Sequence, residues 1–297
     1  MGLINTMKEM GNVFPHPFTN EYVKTMPRRV LTAEEEELSY AKYYDNEMTS
    51  IPQEDLDVVN QGPMNPKYAL PIEQRTKLLD SGYFDVETGY CCMPNGKGYA
   101  ATKVFMKGVT PEMLDWWFNW HPLEGLRYAI WCPVAHDSIS AKTPDAHKDS
   151  SPVDMKYRNY GKTHYPVEGF DLKGKEKIEI TFYSPEDVGM DTELFKEPNI
   201  SSLYAAKVVK HAGPIQLPIN VFHHCVRPVT GGVEYRSRYW LGYTINEKDE
   251  IVESKIPFPK HFMESMARNN CLHSLTEYNH LASILPSLYA EQKGAIN

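Results

Sequence analysis

The feature that most restricts the architecture is a change of period late in the chain. From about residue 86 to residue 245 the apolar residues recur in short, strand-like alternation. Over roughly residues 258–285 they recur at helical spacing, and the chain closes on that one long helix. The strand-like runs are "KTHYPVEGF", "KIEITFYS", "SLYAAKVVKH", "LPINVFHHCVRPV" and "VEYRSRYWLGYTI", the last two joined as a hairpin by "TGG" at 230–232. Ahead of them, "YCCMPNGKGYAATKVFMKGV" reads as a hairpin turning at Asn95-Gly96. "TPEMLDWWFNWHP" reads as a helix with Thr110 as N-cap, Pro111 at its first position and Glu112 in its first turn. "LRYAIWCPV" follows as an expected strand, and residues 137–158 as a polar loop. Several antiparallel strands followed by a segregated helix predict an α+β fold rather than a parallel βαβ sheet. A curved antiparallel sheet gripping one long helix encloses a cavity, the natural place for a ligand.

Residues 1–85 read differently. "FPHPF", "TMPRR", "SIPQED" and "GPMNPKYALP" carry proline at a density that blocks long helices and central strands. "TAEEEELSYAKYYDNE" (32–47) is expected as a short acidic helix capped by Thr32. The expectation is an irregular, partly helical segment that wraps another surface or pairs with another subunit, followed by a second unit over 86–297.

The net charge is −8, without a long run of Lys or Arg, which argues against nucleic acid and anionic membranes as partners. Cys91, Cys92, Cys132, Cys225 and Cys271 are odd in number and include no C-x-x-C pair, so they read as reduced thiols in a cytoplasmic protein. Cys91 and Cys92 are expected on opposite faces of a strand. "MGLINT" fits the loose myristoylation pattern, but no basic patch adjoins it and one acyl chain alone anchors weakly. A secretory leader and a membrane-spanning stretch are not expected.

The closing helix raises the chemical question. Phe262, Met266, His273, Glu277, His280 and Ile284 fall within one stripe, and its apolar members say that it faces inward. An inward carboxylate must be paired, protonated or bound to a metal. A His and a Glu one turn apart can reach a single cation, given partners from elsewhere. His136 ends "RYAIWCPVAH". His164 and Glu168, four apart in "THYPVEGF", share one face of a strand. Of the adjacent His223 and His224 only one can face the cavity, and Arg236, Arg238 or Tyr239 are candidates on the facing strand.

Taken in order, "WWFNWHPLEGLRYAIWCPVAH", "THYPVEGF", "GGVEYRSRYWLGY" and "HSLTEYNHLASILP" resemble the 2,4-diacetylphloroglucinol hydrolase family, which includes phloretin hydrolases. The resemblance covers roughly residues 85–290. It implies a helix-grip, START-like domain that holds one zinc, with a smaller N-terminal segment that helps build a homodimer. It implies hydrolysis of the carbon–carbon bond between an acyl group and a phloroglucinol-type ring. Carried over, the metal ligands are His136, Glu168, His273 and Glu277. Tyr128, His224 and Tyr239 match substrate-binding and acid/base positions. The family tends to carry an amide shortly after the first metal-binding His, where this chain reads Asp137-Ser138-Ile139.

The chemistry implied is a retro-Claisen cleavage. Protonation of the acyl-bearing ring carbon makes a 1,3-dicarbonyl, and attack on the acyl carbonyl then expels an enolate. A serine hydrolase is excluded by the absence of G-x-S-x-G and of βαβ order. The alternatives are a START-like carrier that binds phenolic or polyketide ligands unchanged, and a metal-dependent hydrolase of the same fold with another substrate, such as a cyclic diketone.

Overall fold

The computed structural model describes residues 14–169, 175–191, 193, 195, 200–212 and 215–294. The "MGLINT" motif lies outside the described residues. The N-terminal segment is made of short pieces: α1 (Asn20–Thr25), α2 (Ala33–Glu36) and α3 (Gln53–Asn60), with tighter helical stretches at Ala41–Tyr43, Pro66–Tyr68 and Ile72–Leu79. Thr32 caps α2 as expected, and Glu35 returns the bond to form a capping box. The helix expected over 32–47 nevertheless ends at Glu36. Tyr40, Ala41, Tyr43 and Tyr44 are all buried, a wider arc than one face of a surface helix presents, so packing overrides local periodicity.

The sheet opens with β1 (Gly89–Cys92) and β2 (Gly98–Lys107). Their turn holds Gly96 at φ 79°, a left-handed conformation that suits glycine. Next come α4 (Pro111–Trp120), α5 (Gly125–Ala129) and β3 (His136–Ser138). Thr110 accepts from Met113 N as the cap of α4. The strand expected at "LRYAIWCPV" is instead α5 and a turn. Leu126, Tyr128, Ala129, Ile130, Cys132 and Val134 are all buried, and a run buried on every side carries no period that separates helix from strand.

Then follow β4 (Thr163–His164), β5 (Val167–Glu168), β6 (Glu176–Tyr183), β7 (Ser202–Ala212), β8 (Ile215–Val229) and β9 (Gly232–Leu241). A small ribbon, β10 (Tyr243–Ile245) with β11 (Ile251–Glu253), precedes α6 (Lys260–Gln292). Among the described residues one antiparallel sheet runs β1-β2-β9-β8-β7-β6-β5-β3, with β4 also on β6. The architecture is mixed α and β, a large antiparallel sheet with one long C-terminal helix. The hairpin at 230–232 is tight: a Cβ on Gly232 would stand 2.2 Å from the Met106 carbonyl oxygen.

α6 crosses β1, β2 and β9, tied by Ser274 Oγ to Thr102 Oγ1 at 2.8 Å. It runs past the expected end at 285 and through Pro286. Leu285 and Leu288 continue the buried stripe, and that burial offsets the lost backbone bond. The N-terminal pieces pack on the same core: Phe18, Val23, Leu56 and Val59 join a cluster with Trp116 and Leu272. Polar ties hold them down, among them Arg268 Nη2 to the Pro15 carbonyl (2.8 Å) and Gln292 Nε2 to Ser39 Oγ (3.0 Å). Cys91 and Cys92 face different clusters, and all five cysteines are free and buried. No helix among the described residues is long and apolar enough to cross a membrane.

Candidate active site

Alternation along β8 and β9 decides what enters the space between sheet and helix. Phe222 pairs with Tyr239, and His224 with Ser237, on the side that faces α6. His223 pairs with Arg238, and Cys225 with Arg236, on the other. His224 and Tyr239 therefore line a cavity of about 450 Å³, together with Met266, His273 and Glu277 from α6. Tyr128, Trp131, Ile139 and Glu168 close another wall.

At one part of this wall four ionisable side chains meet. One nitrogen or oxygen from each of His136, Glu168 and His273 lies within 4.8 Å of the others. Glu277 Oε2 stands 3.4 Å from His136 Nε2 and 3.3 Å from His273 Nε2, and Glu168 Oε2 is 3.9 Å from His136 Nε2. The helix supplies His273 and Glu277 one turn apart. His136 and Glu168 come from paired positions on β3 and β5.

The His136 ring is fixed by its neighbours. It stacks on Tyr128 at 4.0 Å, and Nδ1–H donates to the Tyr128 carbonyl at 3.3 Å. Nε2 therefore carries a bare lone pair in the neutral ring, and that lone pair faces two carboxylates. Lone pairs opposed in this way, in a dry site, call for a cation between them. Two imidazole nitrogens and two carboxylates form a donor set that suits a divalent metal such as zinc.

The electrostatics agree with a converging charged pair. Burial acts to raise the Glu277 carboxyl, but the positive charge of His273 beside it outweighs burial and holds it down at about 2. Burial acts to lower His273, and the Glu277 carboxylate outweighs it, lifting the imidazole to about 9. Around this group stand neutral donors. Tyr128 OH donates to the Glu168 carboxylate, and burial, with that carboxylate beside it, pushes the phenol well above its ordinary value. His224 is held neutral by burial, which takes it down to about 3; its Nδ1 bonds Ser237 Oγ at 2.8 Å and its Nε2 lies 3.4 Å from Tyr278 OH. Burial likewise keeps Tyr239 protonated.

The alternatives left open on β8 and β9 resolve here: His224 and Tyr239 face the cavity. Arg236 and Arg238 do not line the cavity: they point to the opposite face, where Glu87 takes both at 2.6 Å. His223 is on that face too, against Trp240. His280 is buried on the helix stripe but lies beyond the cavity, because the N-terminal segment covers that turn; Thr49 N–H donates to its Nδ1 at 3.3 Å. Sequence reasoning passed over Tyr278, which couples His224 to Tyr235, and His121, a cavity wall residue at the end of α4. A tyrosine inside an apolar helix and a histidine after a tryptophan run carry no signal that separates them from core.

The sequence pattern of the DAPG hydrolase PhiG domain matches residues 70–290. The chain belongs to this family. It is 33% identical over 264 residues to the phloretin hydrolase of Eubacterium ramulus, an alignment covering 88% of this chain and 92% of that protein. It is 32% identical over 261 residues to a 2,4-diacetylphloroglucinol hydrolase of a Pseudomonas species (85% and 87% covered) and 31% identical over 261 residues to that of Pseudomonas protegens (85% and 84%). A member of the DAPG hydrolase PhiG domain family with such relatives is an enzyme, a hydrolase, and the carrier alternative gives way.

Proposed function

We propose that the chain is a zinc-dependent hydrolase that cleaves an acyl group from a phloroglucinol-type ring, its substrate being 2,4-diacetylphloroglucinol or a phloretin-like ketone. The observation that carries this reading is the convergence of His136, Glu168, His273 and Glu277 on one point of an aromatic-walled cavity, in a chain of this family. Bound there, a zinc ion would polarise the acyl carbonyl and lower the pKa of a water molecule. The chain's own groups do the rest. Tyr128, His224 and Tyr239 offer hydrogen bonds to the phenol oxygens and a proton for the acyl-bearing ring carbon. Once that carbon is protonated, water adds to the acyl carbonyl, the bond to the ring breaks, and the electron pair leaves as an enolate. The products are a carboxylic acid and the deacylated phenol.

Tyr128 donates to Glu168, so it couples the carboxylate to the substrate wall. His224 stays neutral at pH 7 and relays through Tyr278 and Tyr235. The aromatic walls strip water from the acyl carbonyl and stack the ring. Ile139 adds apolar surface where relatives of the resembled pattern carry an amide.

The same reading takes in a helix-grip, START-like class for the sheet and α6, and a cytoplasmic site, which suits five reduced thiols. It also takes in a homodimer built through the N-terminal segment. Four of the seven large apolar residues left exposed among the described residues are Val30, Val58, Tyr68 and Tyr83 of that segment. Light scattering tests the dimer.

Elemental analysis of the purified protein, beside turnover of 2,4-diacetylphloroglucinol and phloretin before and after chelation, tests the reading. Zinc near one per chain, with acid released and activity lost on chelation, is expected. Full turnover by zinc-free protein would overturn it.

A further inference from the structure

Besides His224, two cavity-wall histidines lie outside the metal group, and the hydrogen-bond network fixes which nitrogen each leaves unused. The chain of bonds starts at Asn119. Its Nδ2 donates to the carbonyls of Asp115 (2.7 Å) and Met155 (2.9 Å), which only accept. The amide oxygen is therefore the atom that faces His147, and it takes the proton of His147 Nδ1 at 3.1 Å. His147 Nε2 is then a lone pair, and it accepts from His164 Nε2–H at 3.2 Å. His164 is left with a bare Nδ1. His121 reaches the same condition by a shorter route: its Nδ1–H donates to the Trp117 carbonyl at 2.8 Å, leaving a bare Nε2.

Among the described residues neither of these two nitrogens makes a hydrogen bond, although His121 and His164 are both only 2% exposed and both line the cavity. Their rings stand perpendicular, with centroids 6.1 Å apart. His121 also sets the distance to the metal group, since it stacks 6.0 Å from Tyr128, which stacks 4.0 Å from His136. The remaining wall here is apolar, with Phe118, Ile180 and Phe182. Each of these acceptors opens on the cavity, where water or a ligand hydroxyl supplies the donor.

We propose that His164, with His121 beside it, is a specificity-determining residue, the acceptor for the single proton of a phenolic hydroxyl carried on the part of the substrate away from the scissile carbonyl, with His147 and Asn119 as positioning residues for His164. The inference rests on the hydrolase reading above. The hydroxyl can come from the phloroglucinol ring, at the position opposite the acyl group, or from an aryl group that ends the acyl chain. The shared chemistry is an O–H donor on an aromatic ring.

The test compares three compounds on the full-length protein: phloretin, the same ketone without the hydroxyl on its acyl-side ring, and phloretin methylated on the ring hydroxyl opposite the acyl group. Initial rates give kcat/KM and calorimetry gives Kd for wild type, His164→Phe, His164→Gln and His147→Phe. We expect wild type to favour phloretin over one of the two analogues by about ten- to a hundredfold, and the compound that loses names the source of the hydroxyl. His164→Phe and His147→Phe erase that preference, mainly through KM, while His164→Gln, whose amide oxygen still accepts, keeps part of it. A damaged fold lowers all three compounds alike and leaves the ratio in place, so an unchanged ratio in His164→Phe, or no preference in wild type, overturns the proposal. If neither these compounds nor 2,4-diacetylphloroglucinol is turned over, the hydrolase reading falls, and the Kd ratios still decide the role of the acceptors.

Discussion

The two faces of the β8–β9 pair bury ionisable groups in opposite ways. On the outer face Arg236 and Arg238 meet Glu87, and backbone carbonyls take further guanidinium N–H groups. On the cavity face two carboxylates and two imidazoles converge, and the lone pair of His136 opposes an acid group. On opposite sides of the same two strands, one arrangement pairs its charges within the chain, and the other, built from β3, β5 and α6 over the cavity face, is complementary to something that binds. Stability and chemistry therefore divide by face, and substitution on each should read out differently.

The largest effect belongs to the cavity face. Glu277→Gln should lower kcat/KM by about a thousandfold or more and the zinc content with it, as shown by steady-state rates and elemental analysis. An active, zinc-replete variant would erase the distinction between the faces. Next comes Glu87→Gln on the outer face. It leaves two buried guanidinium groups without their carboxylate, and urea unfolding should show a loss of about 3 kcal/mol. Turnover per folded molecule should hold.

A pH series sharpens this outer-face effect. Burial acts to raise the Glu87 carboxyl, but Arg238 and Arg236 outweigh it and hold it at about 2, below the usual carboxylate range. A depressed folded value means that the stabilisation is whole above the ordinary carboxylate value and is lost as pH falls from there toward 2. The melting temperature of wild type should drop over that window, and that of Glu87→Gln should drop less.

Neighbouring histidines give the closest comparison. His224→Phe should cost about ten- to a hundredfold in kcat, because a proton-bearing contact to the cavity is lost. His223→Phe is the smallest effect. Both His223 nitrogens are buried without a hydrogen-bond partner among the described residues, so an apolar ring should be neutral or stabilising by up to about 1 kcal/mol, with kcat unchanged. Melting curves and initial rates on the two variants check the pair.

Much of this was legible from periodicity. Strands ahead of one long helix, the caps at Thr32 and Thr110, the turns at Asn95-Gly96 and 230–232, and the His273–Glu277 pair on an inward stripe all depend on contacts within a few residues of each other. The places that misled have a common cause. Residues 126–134 are enclosed on all sides, 37–44 bury an arc too wide for a surface helix, and α6 continues through Pro286 because Leu285 and Leu288 are buried. In each, the partner that decided the conformation is distant in sequence.

By itself the sequence determined which residues share a face: His273 with Glu277 on the helix, His164 with Glu168, and His224 opposite to His223. Those relations are local and follow from backbone geometry. Only the tertiary structure decided which face closes on the cavity, that His280 is claimed by Thr49, that Glu87 takes both arginines, and that a hydrogen-bond chain from Asn119 leaves His164 with an open nitrogen. Alternation names two faces of a strand, but what packs against each face is set by segments tens to hundreds of residues away.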